Sequence, residues 1–258
     1  MVDPSPCGVA PPVDSIPVPV PGAVDRECPG RVRTLPVDRI RTSYRHLRPG
    51  ALIEAQLELA DLPLRVVPTD DGHYEILDGF KRFRSWSEAG DRSVPVVIEP
   101  PLESLDRKRL MLLANTPARS ITPLDEARIV ESLIKEDGLT HLTVSHLLGR
   151  KRRWVTQRFQ MATRLSNCAQ EALGHGRIGP SLAHALTPLT VDDQDRVLAT
   201  LAQHRLGSSD AIVFIQAYRA ADKTDRKEIL KNPLGTVRPQ QRPLVSPRAR
   251  STGRLLSA

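Results

Sequence analysis

Four consecutive cations, Arg150, Lys151, Arg152 and Arg153, open a stretch in which Thr156, Gln157, Gln160 and Arg164 recur at helical spacing. Cations oppose the helix dipole at its N-terminal end, so the run does not serve local helix stability. Neutralising phosphate is the chemistry that uses it. Amide and hydroxyl side chains one and two turns later carry the donors and acceptors that read base edges. Just upstream, Val144, Leu147 and Leu148 are spaced to bury one helix face, and Gly149 follows as a turn residue. At about 100° per residue, Val155, Phe159 and Ala162 share a narrow inner face, and Arg153, Thr156, Gln157, Gln160 and Arg164 take the opposite one. The pattern predicts a helix-turn-helix, His141–Leu148 then Lys151–Leu165, whose outer face suits the major groove of double-stranded DNA. The plainer alternative is a solvated basic face on an ordinary helix. The turn, the apolar register and the polar outer face together favour the groove reader.

A second group lies upstream, in Tyr74-Glu-Ile-Leu-Asp-Gly-Phe-Lys-Arg-Phe-Arg-Ser85. A glycine that opens a helix, here Gly79, lets a phosphate approach free backbone N–H groups, and Arg82 one turn later balances its charge. Arg82 and Arg84 suit equally well a basic helix face against DNA phosphate or the neighbouring domain. Asp70, Asp71, Glu75 and Asp78 are close enough in sequence to suggest the clustered carboxylates of a metal-dependent nuclease, although Asp70-Asp71-Gly72 reads as a turn. Cys7, Cys28 and Cys168 form no C-x-x-C pair, and His141 with His146 lies one residue off the spacing of a helical metal pair. Inert thiols, no metal site and a cytoplasmic setting are the expectation.

These residues need elements to hold them. Aromatics are only 3% of the 258 residues, so any core rests on Leu, Val, Ile and Ala, which favours helices over a β-sandwich. The net charge of +7 points to a polyanion as partner. No apolar run is long enough to cross a membrane. Residues 1–30 are proline-rich and are expected to be a disordered lead. Residues 31–118 alternate strands and helices: Arg33–Ile40, helix Ala51–Ala60, Leu64–Val67, Tyr74–Leu77, helix Phe80–Ala89 ended by Gly90, Val94–Glu99 and helix Ser104–Leu113. Residues 119–230 read as helix throughout. Thr122, Pro123 and Asp125 form a capping box before the stripe Ala127, Val130, Leu133 and Ile134. After the paired helices come Asn167–Leu173, Val191–His204 and Asp210–Ala221. Residues 231–258 contain no acid and are expected to be a basic disordered tail. The fold class is α+β followed by an all-α helix-turn-helix domain, with disordered tails.

From Arg33 to Ala221 the chain resembles the ParB partition family. The likeness is carried by Leu35-Pro-Val-Asp-Arg-Ile40, by Gly79, Arg82 and Arg84, by Asn115, by Ile121-Thr-Pro-Leu-Asp-Glu-Ala127, and by Gly176-Arg-Ile178 with Ala183-His-Ala-Leu186. The resemblance implies a ParB/sulfiredoxin-like first domain and binding to a specific double-stranded DNA site. It also implies self-association on DNA, a P-loop ATPase partner in plasmid or chromosome partition, and a CTP site with Mg²⁺ formed by Gly79, Arg82, Arg84, Asn115 and Arg119. Departures weaken the nucleotide expectation. The family's Glu-Asn-x-x-Arg reads Ala114-Asn115-Thr116-Pro117-Ala118, which removes the carboxylate that would hold Mg²⁺ and displaces the arginine to Arg119. Its Gly-x-x-x-Pro reads Leu59-Ala60-Asp61-Leu62-Pro63, and Phe80 replaces an acid. The expectation is therefore weak or no CTP binding and no catalysis. A DNA-binding regulator or accessory factor of a mobile element is the alternative role. Redox chemistry of the sulfiredoxin kind lacks its thiol, because Phe80 and Lys81 follow Gly79.

Overall fold

The computed structural model describes residues 31–49, 62–113 and 121–237. Five short strands, β1 (Val32–Pro36), β2 (Ile40–Arg41), β3 (Leu64–Pro68), β4 (Tyr74–Asp78) and β5 (Ser93–Ile98), form one sheet in the order β1-β5-β3-β4-β2. β5 runs antiparallel to β1 and parallel to β3, β3 is antiparallel to β4, and β4 is parallel to β2. A register shift between Arg65 and Val66 lets two consecutive residues of β3, Val66 and Val67, both be fully buried. Helix α1 (Phe80–Ala89) ends at Gly90 in the left-handed conformation, as its sequence predicts, and α2 (Ser104–Leu113) has its predicted bounds.

The first strand departs from expectation. Arg33–Ile40 is not one strand: β1 stops at Pro36, a 3₁₀ turn occupies Val37–Arg39, and the chain re-enters the sheet at Ile40 on the opposite edge. Val37 N–H donates to Arg92 O at 3.1 Å, and the alternation of partly buried residues continues through Leu35 and Val37. The pattern therefore carries no trace of the break. The helix expected at Ala51–Ala60 lies outside the described residues.

The rest is helical: α3 (Pro123–Lys135), α4 (His141–Leu148), α5 (Arg152–Arg164), α6 (Asn167–Gly174), α7 (Pro180–Leu186), α8 (Val191–Gln203), α9 (Ser208–Ala220), α10 (Lys223–Lys231) and α11 (Pro233–Val237). Thr122 caps α3 with the full reciprocal pair: Asp125 N–H donates to Thr122 Oγ1 at 3.2 Å, and Thr122 N–H to Asp125 Oδ2 at 2.8 Å. α3 serves two cores. Ile129, Val130 and Leu133 join Val66, Ile76, Met111, Val144 and Val155, while Leu124 and Ala127 join Met161, Leu173, Leu186, Phe214 and Tyr218. The stripe expected to include Ala127 thus divides between the cores, and Ile129 is buried as well. Each fully buried Leu or Ile here stabilises by about 1.5–3 kcal/mol.

Charged groups join the sheet region to the helices. Arg48 Nε lies 3.6 Å from Asp125 Oδ2 with both side chains buried. Lys108 of α2 donates to Asp137 Oδ2 at 2.7 Å and Glu136 Oε2 at 3.0 Å, just beyond the end of α3. An ammonium only 3% exposed is tolerable because both carboxylates face it. Burial pushes Lys108 down, but its bonds to Asp137 and Glu136 outweigh that and hold it above its ordinary value. The Ser132 hydroxyl, donating at 2.6 Å, and then Lys108 hold Glu136 below the usual carboxylate range.

Three helices lack a counterpart in the sequence reading. α7 begins with Pro180 at its first turn and buries Leu182, Ala183 and Leu186. Asp222 caps α10, accepting from Thr224 N–H at 2.8 Å and Asp225 N–H at 2.9 Å. α11 corrects the tail expected from residue 231: Asn232 Oδ1 accepts from Gly235 N–H at 3.0 Å, Pro233 is buried, and Val237 packs against the second core. The expected lead at residues 1–30 and the remainder of the tail, 238–258, lie outside the described residues.

Candidate nucleic-acid interface

The turn between α4 and α5 is built by short-range bonds. Thr140 caps α4, accepting from Thr143 N–H at 3.1 Å. Gly149 then takes φ 61°, a left-handed conformation that a side chain would strain. Arg150 N–H donates to Ser145 O at 3.0 Å, and Ser145 Oγ donates to Arg150 O at 2.6 Å, so α4 holds the backbone that leads into α5. Val144 and Leu148 are buried against Val155, as predicted, whereas Leu147 is only half-buried.

The buried face of α5 is wider than its apolar residues indicate. Val155 and Ala162 face inward, but Phe159 is half-buried, edge-on to His141 with ring centroids 5.1 Å apart. Arg158 and Met161 complete the inner face. Arg158 Nε donates to Glu126 Oε2 of α3 at 2.7 Å, and its guanidinium lies 5.0 Å from the centre of the Trp154 ring. Arg150 stacks on the same ring at 5.5 Å. A charged inner residue escapes any search by hydrophobic period. The usable signal was its spacing, three residues after Val155 and four before Ala162.

The outer face forms an open concavity of about 340 Å³ lined by Arg152, Arg153, Thr156, Gln157, Gln160 and His184. Five of these were named from sequence. Arg152 and Arg153 are exposed and have no acidic partner among the described residues. Arg164 and Lys151 are exposed at the two ends of α5, and Arg150 lies beside Trp154; none of the three lines the concavity. His184 was not foreseen as a site residue. It arrives from α7, and its Nε2 sits 3.1 Å from Gln160 Oε1. Burial, then the charges of Arg153 and Arg158, hold its imidazole below the ordinary histidine value.

The upstream group is arranged differently. Gly79 has φ 100° at the start of α1, and a Cβ there would come within 2.6 Å of Leu64 Cδ2 and 2.9 Å of an Arg82 guanidinium nitrogen. Arg82 folds back over the glycine, donating to Pro63 O at 3.2 Å and Asp78 Oδ2 at 3.3 Å, while its Nε is buried without a hydrogen-bond partner among the described residues. Arg84 Nε lies 3.6 Å from Glu88 Oε1. Asn115 and Arg119, like Ala114, lie outside the described residues. The four upstream acids do not converge. Asp71 pairs with Arg41 and accepts from Thr69 Oγ1, Asp78 pairs with Arg82, and Glu75 is buried, accepting from Tyr44 N–H at 3.4 Å. Among the described residues no three His, Cys, Asp or Glu are grouped to hold a metal, Cys168 is an exposed free thiol, and no helix is long and apolar enough to cross a membrane.

The helical half of the chain has a family match among known proteins. Residues 119–216 match the ParB HTH domain family. The chain is 33% identical over 168 residues to the chromosome-partitioning protein Spo0J of Thermus thermophilus, covering 62% of this chain and 61% of that protein. It is 28% identical over 157 residues to a probable chromosome-partitioning protein ParB of Vibrio cholerae serotype O1, covering 61% of this chain and 52% of that protein. It thus spans between half and two thirds of the length of these relatives. Among solved structures, the C-terminally truncated ParB of Caulobacter crescentus complexed to the centromeric parS site overlaps 71% of this chain and 98% of its own, at 18% identity and a TM-score of 0.40.

Proposed function

We propose, from the premise that this chain is ParB-like and carries a ParB-type helix-turn-helix, that it binds a specific double-stranded DNA site through α5 and acts in partition of a replicon. The observation that carries this is the concave outer face of α5, where Arg152, Arg153, Thr156, Gln157 and Gln160 converge. The cations supply phosphate neutralisation, and the amides and hydroxyl supply base-edge contacts. Lys151, Arg164 and Arg150 flank that face and are assigned to the phosphate backbone. The partition role follows the named activity of the relatives; self-association on DNA, a P-loop ATPase partner and a place on nucleoid or plasmid DNA go with it. In a gel-shift series against duplexes selected from a random pool, Arg153→Ala with Gln157→Ala should weaken binding, by roughly 1–3 kcal/mol for the base contact of Gln157 and further for the phosphate contact of Arg153, and relax the site preference. Unchanged affinity and preference would show that α5 is not the reader.

Residues around Gly79 support a second, weaker activity. The left-handed glycine at a helix start and the buried, unpartnered Nε of Arg82 fit an approaching phosphate, but Arg82 must first leave Asp78 and Pro63 O. CTP, with Mg²⁺, would supply a triphosphate for that helix start to hold. We infer weak CTP binding without turnover, and DNA binding that does not depend on it. Isothermal titration with CTP and Mg²⁺ should give weak binding that improves in Ala114→Glu. Tight, metal-dependent binding by the unaltered chain, with phosphate release stimulated by DNA, would overturn this.

A further inference from the structure

We infer that His184 sets the hydrogen-bonding direction of Gln160 and thereby makes the α5 concavity select guanine over adenine at the base pair that Gln160 meets. This rests on the reading of α5 as the DNA reader and adds what that reader prefers. His184 Nε2 of α7 and Gln160 Oε1 of α5, both lining the concavity, lie 3.1 Å apart. An oxygen facing Nε2 selects the tautomer with its proton on that nitrogen, so His184 donates and Gln160 accepts. Arg153 and Arg158 are the charged groups facing the imidazole, and a neutral ring still carries this one N–H.

The consequence falls on the amide. A glutamine reads adenine by using both ends at once, its oxygen accepting from N6 and its nitrogen donating to N7. With the oxygen turned to His184, one of its two lone pairs is engaged there and the amide is held in one orientation, so its nitrogen, with two donors, is the end left for the groove. Its neighbours add to that balance. Arg152 and Arg153 are donors only, and they outnumber the acceptors beside them, the Thr156 hydroxyl, whose proton goes back to Arg152 O at 3.1 Å, and the Gln157 amide oxygen. A surface so rich in donors meets its complement in guanine, whose major-groove edge presents two acceptors, O6 and N7. Adenine offers one acceptor beside a donor, which would oppose the amide nitrogen or the guanidinium groups.

The test uses the full chain and duplexes selected from a random pool. The position at which Gln160→Ala loses its preference is then varied through all four base pairs. The unaltered chain should hold guanine there about tenfold more tightly than adenine. His184→Ala, and His184→Phe, which keeps a ring and removes the donor, should reduce that ratio to about one to twofold. Melting temperature and the salt dependence of binding should stay near those of the unaltered chain, which a merely structural role of His184 would not allow. A guanine preference that survives both His184 variants would overturn the inference, as would adenine preferred by the unaltered chain, or a Gln160→Ala protein with every preference intact. If Arg153→Ala with Gln157→Ala also leaves binding intact, the DNA-reading face itself fails. If that variant is impaired while the His184 variants keep guanine, only the inference about His184 fails.

Discussion

Helices α1 and α5 both begin near a glycine that lets the chain turn and both carry several arginines, yet their cations do opposite things. In α1, Arg82 has Asp78 four residues before it and Arg84 has Glu88 four residues after, and the structure joins both pairs. The space beside Gly79 is taken by Leu64 and Arg82. In α5, no acid lies between Arg150 and Arg164, and Arg152 and Arg153 stand at an open concavity. Arg158 is spent internally, on Glu126. The difference teaches that an arginine's availability is decided by the nearest carboxylate, one helical turn away in sequence or across a packed face. A basic residue count does not reveal it.

The strongest way to sharpen the contrast is inside α5 itself. Arg158→Ala should lower stability by about 3 kcal/mol, because it leaves Glu126 part-buried and unpaired, whereas Arg153→Ala should stay within about 0.5 kcal/mol. Denaturant titration of the two variants compares them directly, and equal losses would erase the distinction between inner and outer arginines. In α1, Gly79→Ala should cost about 2 kcal/mol through its positive φ and the clash with Leu64. A neutral result would mean that the helix start is less tightly filled than described.

A smaller effect concerns pH. Glu136 is held below its ordinary value, so its contribution is present above about pH 4.3 and is lost as pH falls through the lowered value. Lys108 is held above its ordinary value, so its contribution is present below about pH 10.4 and is lost as pH rises through the raised one. Lys108→Met should therefore make both the acid and the alkaline limbs of a melting-temperature profile shallower. Limbs as steep as those of the unaltered chain would show that this cluster does not join α2 to α3 energetically.

Much of the scaffold was legible because its signals are local. Thr122-Pro123 with Asp125, Gly90 after α1, and Gly149 between α4 and α5 act within a few residues, and each element stands where they place it. What escaped was decided by distant partners. The strand break at Val37 follows from crossing to the far edge of the sheet, and Arg158 is inward only because Glu126 faces it from α3. α11 was hidden by a composition of Pro and Gly that a helix end and a packed Val237 nevertheless accommodate. For the site, spacing on α5 gave five of the six residues around the concavity. His184 comes from another helix, and no period within α5 could announce it.

The salt dependence of DNA binding tests most directly the proposed contact of the exposed α5 arginines with phosphate. With four phosphates neutralised per protomer, log K against log salt should have a slope of about −3.6 per protomer, and Arg152→Ala with Arg153→Ala should make it shallower by about 1.8. A slope near zero for the unaltered chain, or one that the double variant leaves unchanged, would contradict the account.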